Sequence, residues 1–139
     1  MPAVRAVVLL AATMALALSA AAQEGHPLAG TWYGDYGTAN QRRDLTIIMK
    51  WDGRSVTGTI DPGPDARAIT SAVLTITPGK PAPEGQSSTT ATPPIFHVRL
   101  EFDGNIFEGT IQNPVAGNRR ITGTWTRGGE KGTFRLQRL

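Results

Sequence analysis

The dipeptide Gly-Thr recurs along this 139-residue chain, always close to large apolar residues. In five of its six copies the glycine shares the period-two position of those residues, as Gly123 does with Ile121 and Trp125. The pattern predicts glycines on the inner face of a curved sheet, where they either bend the strands or leave a cavity. These five pairs stand at 30–31, 58–59, 109–110, 123–124 and 132–133, and the sixth stands at 37–38.

Apolar and polar residues alternate in several stretches after residue 28, which is typical of half-buried antiparallel strands. Asp52-Gly53, Asp103-Gly104 and Gly128-Gly129 supply tight turns between such stretches. We therefore predict an all-β fold, an eight-stranded antiparallel up-and-down β-barrel, in which no sheet edge stays unpaired. The predicted strands are 29–36, 44–51, 54–61, 67–76, 95–102, 105–112, 119–126 and 131–138.

The first residues have the pattern of a secretory signal peptide: Arg5, a short apolar run and the small residues before position 23. We expect residues 1–22 to be the signal peptide, 23–28 an N-terminal tail and 29–139 one barrel domain. The Pro-rich segment 77–94 is expected to be a long loop, either a lid over the barrel mouth or an insertion. The predicted location is therefore secreted or periplasmic, with no membrane-spanning segment.

Composition argues against several classes of function. The chain has no cysteine, and its formal net charge is only +3, without a long basic run, so nucleic acid is not an expected partner. His26 and His97 have no second ligand at a usable spacing, so neither a metal nor another cofactor is expected. No catalytic constellation is recognisable, and we expect no enzymatic activity.

The stretch Gly30-Thr31-Trp32-Tyr33 resembles the first strand of avidin and streptavidin, and Arg120-Ile121 followed by Trp125 resembles their seventh. A first strand of the Gly-x-Trp type is also similar to that of lipocalins and other calycin barrels. The resemblance implies a ligand-binding barrel with an aromatic wall. The hydrogen-bonding residues that avidins use for biotin are replaced here by Gly34, Ile60 and a residue near Gly132, and only Thr38 keeps a hydroxyl. The resemblance therefore implies an avidin-like barrel that does not bind biotin.

These observations predict a non-catalytic barrel that binds a small, largely apolar ligand in its interior or at its mouth. Two alternatives stay open: a protein-binding barrel, such as a protease inhibitor acting through the tail at 23–28, or an envelope domain without a ligand. Oligomeric state is not predicted. The candidate ligand-binding residues are Trp32, Tyr33, Thr38, Trp51, Phe96, Phe107 and Trp125.

Overall fold

A computed structural model of the protein describes residues 25–87 and 91–139. These residues form a single antiparallel sheet without helices, so the predicted all-β class is confirmed, and the sheet curls into a half-barrel. The strands within the described residues are β1 (Gly30–Gly37), β2 (Arg42–Trp51), β3 (Val56–Ile60), β4 (Arg67–Ala68), β5 (Ser71–Thr77), β6 (Ile95–Phe102), β7 (Asn105–Gln112), β8 (Arg120–Arg127) and β9 (Glu130–Arg138). The predicted signal peptide, residues 1–22, lies outside the described residues.

Strand order across the sheet is β4-β3-β2-β1-β9-β8-β7-β6-β5. Strands that are neighbours in sequence are neighbours in the sheet, except β4 and β5, which lie at its two edges. The first strand, β1, also pairs with the last, β9. Successive connections alternate between two ends of the curled sheet. The Thr38 end carries the segments 38–41, 61–66, 103–104 and 128–129. The Leu28 end carries 25–29, 52–55, 78–87, 91–94 and 113–119.

The predicted strand at 67–76 is divided in the structure, which therefore has nine strands where the sequence predicts eight. The Ile69 N–H donates to the Gly58 carbonyl of β3 at 2.9 Å, whereas the next N–H, of Thr70, donates to Glu101 of β6 at 2.8 Å. Ser71 also lies opposite Glu101. Two residues opposite one make a β-bulge, which bends the strand and changes its partner from β3 to β6.

The inner face of the sheet is filled by side chains of alternate strand residues. Its centre is aromatic: the Phe107 and Phe134 rings stack with centroids 4.4 Å apart, and Trp32 is fully buried. The buried cluster comprises Leu28, Trp32, Tyr36, Leu45, Ile47, Met49, Ile60, Val98, Leu100, Phe102, Phe107, Ile111, Ile121, Trp125, Phe134 and Leu136.

The inward glycines act as bends rather than as gaps. Gly109 and Gly123 are paired across β7 and β8. A Cβ on Gly109 would overlap the carbonyl oxygen of Thr122, and one on Gly123 would overlap that of Glu108. Neighbouring backbones thus occupy the space of the absent side chains, which lets the sheet curl tightly around the aromatic core.

No helix among the described residues has the length and apolarity needed to cross a membrane.

Candidate functional site

The residues predicted to form one ligand site lie at four different places. Trp32 and Phe107 are fully buried in the core, and Tyr33, 43% exposed, lies on the outer face. Thr38 and Trp125 meet at the Thr38 end. Trp51 and Phe96 lie at the Leu28 end, where β2 ends and β6 begins, and both are half-buried. The structure therefore brings only Thr38 and Trp125 together in one pocket.

The pocket at the Thr38 end is small, with a cavity volume of about 40 Å³. A pocket of this volume has room for at most a few water molecules, far less than a whole ligand of drug size. It is lined by Tyr36, Gly37, Thr38, Gln41, Arg43, Asn105, Trp125, Arg127 and Glu130.

The buried side of this pocket is a hydrogen-bonded pair. The indole Nε1–H of Trp125 donates to Oδ1 of the buried Asn105 at 2.9 Å, and the Asn105 amide donates to the Phe102 carbonyl at 3.1 Å. Both polar groups are therefore satisfied, and Trp125 is held in one orientation. Sequence reasoning did not select Asn105. Its inward position, two residues before Phe107 on β7, was the available signal, because a buried asparagine needs partners.

The rim of the pocket carries Arg43 and Arg127. Among the described residues neither has an ion-pair partner within 4.0 Å, so their guanidinium groups can bind an anion. The Thr38 hydroxyl oxygen accepts the Gln41 N–H at 3.2 Å, which leaves its own proton to donate. Glu130 is the acidic residue of the pocket. The rim therefore has two cations, one anion and a hydroxyl donor.

Arg67 covers the neighbouring part of the Thr38 end. Its guanidinium lies 5.4 Å from the centroid of the Phe102 ring and pairs with Asp61 and Asp103, each at 3.3 Å. A cation over an aromatic face is stabilised by the ring quadrupole. This arrangement closes the core beside the pocket, so the pocket does not extend into the sheet interior.

The Leu28 end is closed by the chain that enters β1. The Leu28 side chain is fully buried, and its carbonyl accepts the Trp32 indole N–H at 2.8 Å. Arg119 donates to the Pro27 carbonyl at 2.8 Å. The part of the predicted tail that the structure describes, residues 25–28, is therefore docked against the sheet.

His26 joins this docked segment to β2. Its ring stacks on Trp51 with centroids 4.5 Å apart, and its Nδ1 accepts the Leu28 N–H at 3.1 Å. Accepting at Nδ1 requires the neutral ring. Burial of the imidazole lowers the pKa of His26 below its ordinary value, and the Arg119 guanidinium lowers it further.

An open groove of about 480 Å³ runs over the outer face of β1, β8 and β9, beside Tyr33. Asp35 lies there between two arginines, accepting from Arg135 at 3.0 and 3.1 Å and pairing with Arg42. The hydrogen bonds from Arg135 and then Arg42 lower the pKa of the Asp35 carboxyl. The three side chains carry a net charge of +1, and their ion pairs tie β9, β1 and β2 together.

Within the described part of the chain, no group of three or more His, Cys, Asp or Glu side chains is arranged to hold a metal ion.

Comparisons of the chain with protein-family models, with curated proteins and with solved structures found no match. What defines its class is therefore the fold itself, a curled antiparallel sheet around an aromatic core.

Proposed function

We propose that the protein is a secreted or periplasmic, non-catalytic β-barrel that binds a small ligand at the Thr38-end pocket. In this proposal the fold is an up-and-down barrel of the avidin or lipocalin type, with β4 and β5 acting as one bent strand. The hydrogen bonds from Ile69 to β3 and from Thr70 to β6 support it, because they connect the two edges of the sheet. The pattern of residues 1–22 supports the location.

The observation that carries the proposal is the meeting of Thr38 and Trp125 with the unpaired Arg43 and Arg127. The core is packed with aromatic rings, so the ligand binds at the mouth rather than in the interior. Because the enclosed volume is only about 40 Å³, one small group enters and the rest of the ligand lies over the rim. Two arginines make that group an anion, a carboxylate or a sulfonate, attached to an apolar body that contacts the rings.

A matched pair of fluorescent probes tests this. Anilinonaphthalene sulfonate combines an apolar ring system with one anionic group, and phenylnaphthylamine has the same rings without the charge. We expect saturable binding of the sulfonate, with a change in Trp125 emission, and much weaker binding of the amine. Absence of saturable binding, or equal affinity for the two probes, would overturn the proposal.

Variants at the pocket test whether the sulfonate probe binds there. Replacing Arg43→Gln and Arg127→Gln together is expected to weaken sulfonate binding by at least about tenfold, because charge-assisted hydrogen bonds are lost. The matched control, Arg54→Gln with Arg120→Gln, removes the same charge at residues near the Leu28 end and is expected to leave affinity unchanged. If both double variants weaken binding equally, general electrostatic attraction explains the binding and the pocket is not the site.

The alternative of a protease inhibitor acting through its N-terminal tail gains no support from residues 25–28. Leu28 is fully buried, and Pro27 and His26 are held by Arg119 and Trp51. A segment docked in this way closes the end of the sheet, whereas an inhibitory tail has to extend into its target.

A further inference from the structure

The two edges of the sheet are joined only along part of their length, at the Thr38 side. Beyond the bonds of Ile69 to β3 and Thr70 to β6, β5 pairs with β6 from Ser71 to Thr77, and no described backbone group bonds to its other edge. We call this unpaired edge of β5 the free edge. Unpaired edges of this kind are templates for pairing with another strand.

The orientation of one hydrogen bond fixes which groups the free edge presents. Ile69 packs against the core and directs its N–H toward β3. On one strand, residues whose side chains point to the same face direct their backbone polar groups to the same side. Ala72 and Leu74 also pack against the core, and Ile76 shares their alternation. The free edge therefore presents the N–H and C=O of Ala72, Leu74 and Ile76.

Nothing in the sequence of β5 protects this edge. The strand, SAVLTIT, contains no charged residue and no proline, the devices that usually block edge pairing. Val73 is 47% exposed and Ile76 51% exposed, and Ile95 beside them on β6 is also exposed. Of the strands in the described chain, only β5 and β3 carry no charged residue. These two strands lie on either side of the part where the two edges of the sheet are not joined. An uncharged extended strand is therefore the partner that fits.

We propose that the occupant is β5 of a second copy of this chain, paired antiparallel about a two-fold axis at Leu74. In this register Leu74 faces its own copy, and Ala72 faces Ile76 of the partner. All three residues of each free edge then have their N–H and C=O opposite the matching groups of the other edge. The interface is isologous, uses the same surface twice and brings no like charges together.

The first measurement is the mass of the mature protein by sedimentation equilibrium over a range of concentrations. We expect a dimer. Replacing Val73→Lys and Thr75→Lys is expected to halve the sedimenting mass, because position 73 of one copy lies opposite position 75 of the other and like charges would then meet. The control Thr122→Lys with Thr124→Lys adds the same charge to the exposed face of β8, which has a strand on each side, and is expected to stay dimeric.

A mixture of two oppositely charged variants distinguishes this register from a general effect of added charge. A second variant, Val73→Glu with Thr75→Glu, is expected to be monomeric alone and to form a mixed dimer with the lysine variant, because opposite charges then face each other. A monomeric wild-type protein would overturn the proposal, as would a lysine variant that stays dimeric or a failure of the two variants to associate.

Disulfide trapping tests the axis and works even if the charge variants fold poorly. The chain has no cysteine, so a Leu74→Cys variant carries a single thiol. Residues facing each other in a hydrogen-bonded antiparallel pair have Cα atoms about 5.5 Å apart, within disulfide reach. We expect oxidation to give a covalent dimer. Val73→Cys, which lies diagonal to its own copy, is the control and should crosslink far less. Equal crosslinking of the two would exclude this register.

Discussion

The pairing of Gly109 with Gly123 shows how single residues set the curvature of the sheet. Each lies where a side chain on the inner face of β7 or β8 would overlap the backbone of the adjacent strand. The large rings that fill the core occupy other positions of the same strands, Phe107 and Trp125. Small and large residues thus alternate along these strands, so that the narrow sheet curls tightly and still carries rings on its inner face.

Replacing Gly109→Ala or Gly123→Ala is expected to lower the free energy of unfolding by about 1 to 3 kcal/mol, because the added methyl group meets backbone that has to shift. Denaturant unfolding followed by tryptophan fluorescence measures the change. Gly117→Ala is the control: a Cβ there meets nothing within 4 Å, so the change should be small. Similar effects at all three positions would show that close backbone contact does not explain the recurring spacing of glycine and large residues along these strands.

Among the elements, the segment that precedes β1 has a stability that depends on pH. His26 stacks on Trp51 and accepts a hydrogen bond at Nδ1, and the hydrogen bond requires the neutral ring. Because the pKa of His26 is lowered in the folded protein, acidification protonates the unfolded chain first. The docked segment is then fully stabilised above the ordinary histidine pKa of about 6.5 and loses stability as the pH falls toward the folded value.

We therefore expect the wild-type protein to lose more stability than a His26→Gln variant when the pH falls below about 6.5. The glutamine does not titrate, so the difference between the two free energies of unfolding isolates His26. The tryptophan fluorescence of a Trp125→Phe background, which keeps Trp51 and Trp32 beside the docked segment, should change over the same pH range. If the wild type and the variant respond identically, the titration of His26 does not control the docking of this segment.

The sequence predicted the strands better than it predicted the site. Alternation and turn residues placed most strands within two residues, because period two and Asp-Gly turns are local properties. The division of the strand at 67–76 was missed, since the bulge depends on Glu101, which is distant in sequence. The candidate aromatic residues were selected by residue type and inward alternation. The up-and-down order of the predicted strands already places Trp51 and Trp125 at opposite ends of the sheet, but the selection did not use it.

Asn105 and Arg67 could not be predicted from the sequence for a different reason. Both act at the Thr38 end through partners far along the chain: Trp125 for Asn105, and Asp103 with Phe102 for Arg67. Their side chains are polar, so a reading based on alternation assigns them to solvent or to turns. Only the register of β7 with β8 and the path of β4 bring the partners together.

At the scale of the whole molecule, the first and last strands of the described chain pair with each other in the middle of the sheet. β1 lies between β2 and β9, and the Leu139 N–H donates to the Thr31 carbonyl at 2.9 Å. β9 joins the half of the sheet formed by β1–β4 to the half formed by β5–β8. Neither half has a partner for its inner face without the other, so folding has to wait for β9.

Deletion of residues 130–139 is therefore expected to abolish cooperative unfolding and the near-ultraviolet circular dichroism of the buried aromatic residues, since it removes the strand that joins both halves.

The matched variant removes a similar number of residues elsewhere: it replaces 81–91 with Asn-Gly. Thr92 and Lys80 already bond across that loop, at 2.9 Å from the Thr92 N–H to the Lys80 carbonyl, so a two-residue turn can connect β5 to β6. This variant should keep a cooperative transition, because loop length affects stability only weakly. A cooperatively folded chain without β9 would mean that the two halves of the sheet are independent units.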